Sequence, residues 1–214
     1  YEAAGGSWNA SYRLFLGGDG RVEGVANIAA GGLDLADAEV QLLAGDIGRK
    51  VSAPMAREMT MARAADAYAS GAPENEAVGE ARLYTLPGRV SFAPGAMLSV
   101  PLFAPTPVQG QLRLSVGGAL SFWGGVDQYG DEMDVPVQVS YRFDRKQGTP
   151  FGDLPLPAGS VSVYQSDRGG RVQLVGQGSI GHTAPGEMIE VAAGTAFDVS
   201  ARSTQTTIRT AVLA

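Results

Sequence analysis

Residues 7–29 read SWNASYRLFLGGDGRVEGVANIA, and the fold class turns on how this stretch alternates. Trp8, Ala10, Tyr12 and Leu14 share one parity of its first half, and Val22, Gly24, Ala26 and Ile28 share one parity of its second. A period of two sends such side chains to one face of an extended strand. Between the halves stands Gly17-Gly18-Asp19-Gly20, residues that tolerate the positive φ of a tight turn. The stretch is therefore expected to be a β-hairpin with one apolar face.

The same signature recurs outward along the chain. AEVQLLAG (38–45), EARLYTL (80–86), RVSFAPG (89–95), AMLSVPLFAP (96–105) and GQLRLSVGG (110–118) read as strands. VPVQVSYRF (135–143) alternates Val135, Val137, Val139, Tyr141 and Phe143 with Pro136, Gln138, Ser140 and Arg142. Proline has no amide proton for a ladder, so Pro136 implies a sheet edge or the beginning of a strand. GSVSVYQSD (159–167) and GRVQLVGQG (170–178) form a second hairpin around Asp167-Arg168-Gly169-Gly170. EMIEVAAG (187–194) and FDVSARSTQTTIRTAV (197–212) complete the series, while GGLDLAD (31–37) reads as a loop.

Residues 48–79 break the alternation. They are rich in Ala, Met and Arg and are punctuated by Pro54 and Pro73. A long inserted loop is expected, with a short helix loosely suggested by Met55, Met59, Met61 and Ala62. Methionines are soft and adaptable, so Met55, Met59 and Met61 are candidates for a contact surface.

Roughly a dozen short strands separated by Gly- and Pro-rich turns specify an all-β fold, a two-sheet sandwich with mostly antiparallel strands. No repeat of fixed length argues for a propeller or solenoid. No linker separates two units, so residues 1–214 are expected to form one domain with 48–79 inserted in it. The opening at Tyr1, without an initiator Met, reads as a fragment of a larger chain.

Composition narrows the function classes. The chain carries a net charge of −6 and has no basic stripe, which disfavours nucleic acid and anionic lipid. With no cysteine, disulfides, thiolate zinc sites and cysteine nucleophiles are excluded. No apolar run approaches the ~18–20 residues of a transmembrane helix. No cofactor motif is present: the glycine pairs do not join a strand to a helix as a dinucleotide fingerprint requires, and there is no P-loop.

Three groups remain as candidate chemistry. His182, the single histidine, lies in SIGHTAPGE (179–187). A general base needs a positioned partner, and Asp167 or Asp198 would have to supply it. No nucleophile elbow surrounds Ser179 or Thr183, and one imidazole is too little for a zinc or copper site. The expected role of Gly181, His182, Thr183 and Gly186 is a polar turn. Asp127, Asp131, Glu132 and Asp134 gather four carboxylates in one loop, weak candidates for calcium, whose ligands are oxygens. Trp123 and Tyr129, beside those acids, are candidates for a sugar-stacking surface, whereas the alternation around Trp8 places it in the core.

Four motifs in order carry a family resemblance: Ser7-Trp8 with Tyr12, Leu156-Pro157-Ala158-Gly159, Gly181-His182-Thr183 with Gly186, and Gly194 followed by Ala196-Phe197-Asp198-Val199. Together they resemble the domain of unknown function typical of the C-terminal half of the bacterial mucoidy inhibitor A homologues. The resemblance implies a β-sandwich module in a bacterial cell-envelope or surface setting, with His182 setting loop geometry. It supplies no reaction and no catalytic residue. The expected function is a non-catalytic structural or protein-interaction module, without cofactor. Its partner would be another protein, other domains of its own chain or a second copy. The alternative is a carbohydrate-binding module or weak glycan hydrolase using Trp123, Tyr129 and the 127–134 acids.

Overall fold

The structure, a computed structural model, describes residues 5–45, 74–78, 81–86, 88–117 and 132–204. The described residues form fifteen strands. They are β1 (Ser7–Leu16), β2 (Arg21–Ala29), β3 (Leu35–Ala38), β4 (Gln41–Ala44), β5 (Glu74–Val78), β6 (Ala81–Thr85), β7 (Val90–Phe92) and β8 (Met97–Pro107). After these come β9 (Gly110–Val116), β10 (Glu132–Val135), β11 (Val137–Phe143), β12 (Gly159–Ser166), β13 (Val172–Ile180), β14 (Ile189–Thr195) and β15 (Ala201–Thr204).

The expected hairpin is present. Tyr12 pairs with Gly24, Leu14 with Val22 and Ala10 with Ala26, and the apolar parity of both strands is buried. Gly17 and Gly18 hold φ of 81° and 46° in the turn, where a Cβ would be strained. Gly24 leaves room for Phe103: a Cβ there would stand 2.5 Å from its ring, which stacks on Tyr12.

A five-stranded sheet, ordered β13-β12-β1-β2-β8, grows on this hairpin. Its β1–β12 pairing is parallel, with Leu14 opposite Val163 and Tyr12 opposite Val161. The other ladders are antiparallel, including the expected β12–β13 hairpin. A three-stranded sheet, β14-β11-β9, supplies the facing layer. Phe143, Ile189 and Val191 from this layer share one buried cluster with Leu14, Val22 and Val163. Each such side chain removed from water contributes about 1.5–3 kcal/mol. Along one edge β13 lies against β14. There, a Cβ on Gly176 or Gly178 would reach Ala193 or Val191 at 3.2 and 3.4 Å. A smaller sheet, β4-β6-β5, covers one end of the core, and there Trp8 donates from Nε1 to the Leu43 carbonyl at 3.1 Å.

Two local expectations need correction. Residues 31–37 and 48–79 read as loops in the sequence, yet Leu35–Ala38 pairs with β7 and Glu74–Val78 pairs with β6. ENEAV has no alternating pattern, so its strand state comes from backbone pairing with β6 rather than from side-chain periodicity. Residues 46–73, with Met55, Met59 and Met61, lie outside the described residues. Pro136 marks the beginning of a strand, as expected, by separating β10 from β11. However, β11 is the centre of its sheet and not an edge.

Candidate functional site

His182 is positioned by the segment that faces it, Leu154 to Ala158. This segment contains Pro155 and Pro157, which have no amide protons and so cannot take part in a continuous backbone ladder, and side-chain donors reach its carbonyls. The Leu156 and Thr183 backbones exchange hydrogen bonds at 3.0 and 2.9 Å. Tyr84 Oη donates to the Pro155 carbonyl at 3.1 Å, and Tyr12 Oη donates to the Pro157 carbonyl at 2.8 Å. Arg145 Nη2 donates to the Leu154 carbonyl. The Ala158 amide donates to His182 Nδ1 at 3.2 Å. His182 therefore acts as an acceptor in this arrangement, and any proton on a neutral ring is at Nε2.

Arg145 ties the same region from inside. Its side chain is buried, and it donates to the carbonyls of Phe151 at 3.2 Å, Ala184 at 2.9 Å and Glu187 at 3.2 Å besides Leu154. The guanidinium carbon stands 5.1 Å from the centre of the Phe151 ring. Burial pulls its pKa below the usual arginine range, partly offset by the nearby Glu187 carboxylate. Burial likewise pushes the Tyr12 hydroxyl far above the ordinary tyrosine range and Tyr84 up to about 12, so both phenols stay protonated donors. Gly186, at φ 82°, completes the turn and donates its amide to the Gly152 carbonyl at 2.9 Å.

The expected turn of Gly181, His182, Thr183 and Gly186 is thus one wall of a backbone clamp. Neither candidate carboxylate hydrogen-bonds His182. Asp167 is spent on its own hairpin tip, accepting from the Gly169 and Arg171 amides at 2.8 and 2.9 Å and from Arg171 Nε at 3.0 Å. Those bonds, led by the Arg171 amide, hold its carboxyl below the usual range.

The acidic group is divided. Glu132 and Asp134 lie on β10, not in a loop, and Asp134 meets Arg202 of β15 at 3.3 Å. Asp127 and Asp131 lie outside the described residues, as do Trp123 and Tyr129. Among the described residues no cluster of three or more metal-ligating side chains occurs. Trp8 is half-buried and packs against the core, as expected.

Two surface features went unread in the sequence. The first is β9. Leu112, Leu114 and Val116 are 60, 45 and 48% exposed, although they lie opposite Tyr141, Val139 and Val137 on the face that is buried in β11. The second is an open pocket of about 370 Å³ where β1 and β12 end, between the Gly17–Asp19 turn and the β12–β13 hairpin. Phe15 and Tyr164 stand side by side in it, ring centres 5.3 Å apart and 21° from parallel. Their outward parity was legible, but their adjacency depends on the parallel β1–β12 pairing.

Among the described residues no helix is long and apolar enough to cross a membrane. No family model, curated protein or solved structure matches the chain.

Proposed function

We propose that this chain is a non-catalytic structural or protein-interaction module of a bacterial cell-envelope protein, and that β9 is the edge it offers to a partner. The envelope setting rests on the four ordered motifs that resemble the mucoidy inhibitor A homologues. The interaction reading rests on the exposed apolar row of Leu112, Leu114 and Val116. Among the described residues β9 is paired on one side only, by β11. An edge strand with free backbone groups and alternate apolar side chains is a template for strand addition. About half of each leucine is still exposed, so covering the remainder would contribute about 1 kcal/mol apiece. The polar groups that invite a catalytic reading, His182 and Arg145 among them, are engaged with backbone in the clamp, which supports a scaffold role.

A photo-crosslinking residue placed at Leu114 in the protein as cells produce it tests the reading in cells. Crosslinks to a second polypeptide, or to another domain of the same chain, are expected. A matched probe at the exposed Arg168 hairpin tip should give none. Equal crosslinking from both positions, or none from Leu114, overturns the assignment.

A further inference from the structure

The outer face of the five-stranded sheet carries four side chains in register across neighbouring strands: Leu174 on β13, Tyr164 on β12, Phe15 on β1 and Arg21 on β2. Phe15 is enclosed from both flanks. Tyr164 stacks on it from β12, and the Arg21 guanidinium sits 4.1 Å from its centre from the β2 side. Tyr164 has Phe15 on one side only, so its other face turns toward β13. Val172 and Leu174 there are 55 and 54% exposed. Val172 joins the aromatic pair in lining a pocket whose volume of about 370 Å³ lies within the range of small-ligand sites.

The polar groups around this face are unused. Asp19, the Tyr164 hydroxyl, Gln165 and Ser166 make no side-chain hydrogen bond to another described residue. Arg21 commits only Nε, to Glu23 at 2.9 Å, and its terminal nitrogens make no hydrogen bond to another described residue. The charged groups of the lining are one carboxylate, Asp19, and one guanidinium, Arg21. The pocket therefore has no net charge to reward a charged ligand. It offers an apolar ring face together with carboxylate, amide, hydroxyl and guanidinium groups. That combination suits a molecule with one C–H face and a rim of hydroxyls.

We propose that this pocket binds a neutral saccharide. One pyranose ring lies with its C–H face against the Tyr164 ring, beside Val172. Gln165 donates to the oxygens of that ring, while an adjoining sugar unit toward the β1–β2 turn meets Asp19 and Arg21. The site is separate from the β9 edge and stands or falls without it.

The test is a titration of isotopically labelled protein with cellotetraose, chitotetraose and maltotetraose, each followed by amide chemical shifts. At least one probe should shift resonances of residues 15–21 and 164–174, leaving β9 unmoved, with a dissociation constant on the order of a millimolar. Tyr164→Ala and Asp19→Asn should each weaken that binding by about tenfold or more, the equivalent of one lost contact. Both positions are on the surface, and dispersed spectra of the variants verify that they fold. No shift with any of the three at about ten times a millimolar constant overturns the proposal. So does binding that survives both substitutions, or tighter binding of a tetragalacturonate than of every neutral probe.

Discussion

Replacing Arg145 isolates the interaction that holds the 145–158 and 181–187 segments together. Arg145→Met keeps the length of the side chain and removes every donor. The Phe151 carbonyl then loses its partner in a buried setting, a loss of about 1–3 kcal/mol. The carbonyls of Leu154, Ala184 and Glu187 are half-buried, and each forfeits about 1 kcal/mol, because water reaches them in part. Relief of the guanidinium's own desolvation returns a few kcal/mol, and its lowered pKa is the sign of that penalty. A net loss of about 3 kcal/mol is expected, a fall in Tm of about 6–12 °C for a chain of this size. Arg145→Lys is the sharper control. It preserves the charge, but one ammonium has three donors for four carbonyls and lacks the planar fork. If the reasoning holds, Lys is no better tolerated than Met. Urea unfolding followed by far-ultraviolet circular dichroism measures both. A Lys variant within about 0.5 kcal/mol of the parent chain would show that charge, and not the four-way carbonyl geometry, is what the site needs.

The other predictions concern the same clamp and the sheet beside it. Tyr84 is held at about 12, above the unfolded tyrosine value of 10.0, so its contribution is complete below pH 10 and disappears as pH rises toward 12. That gap corresponds to at most about 3 kcal/mol, and Tyr84→Phe should flatten the alkaline limb of a stability–pH profile measured by denaturant titration. Asp167 shows the opposite sign: its lowered carboxyl stabilises the hairpin above the unfolded value of 3.8, and that contribution fades as pH falls through the lower folded value. Asp167→Asn should remove that acid dependence without changing the profile above pH 6. Gly159→Ala would set a Cβ 2.2 Å from the Ala10 carbonyl oxygen in the parallel β1–β12 ladder. Backbone must shift to admit it, so thermal unfolding should show a loss of about 1–3 kcal/mol.

Strand positions and faces were legible because alternation is a local property. The 7–29 hairpin, β11 and the β12–β13 hairpin each announce a buried parity through their own residues, and the glycine turns mark where each reverses. The clamp was half legible. GHTAPGE reads as a turn, and His182 accepts from the Ala158 amide beside it, but nothing near Arg145 in sequence names the four carbonyls it serves. Tyr12 and Tyr84 looked like ordinary core aromatics, and their hydroxyl partners lie 145 and 71 residues away.

What the sequence determined by itself was an all-β chain whose strands each have one apolar side. The tertiary structure alone decided which strand lies beside which. Parallel pairing of β1 with β12 put Phe15 next to Tyr164 and opened the pocket at their ends. The place of β9 at an edge left Leu112, Leu114 and Val116 uncovered, although GQLRLSV alternates as plainly as any buried strand. Alternation separates the two faces of a strand. Whether a face meets protein or water depends on neighbours brought together from far along the chain.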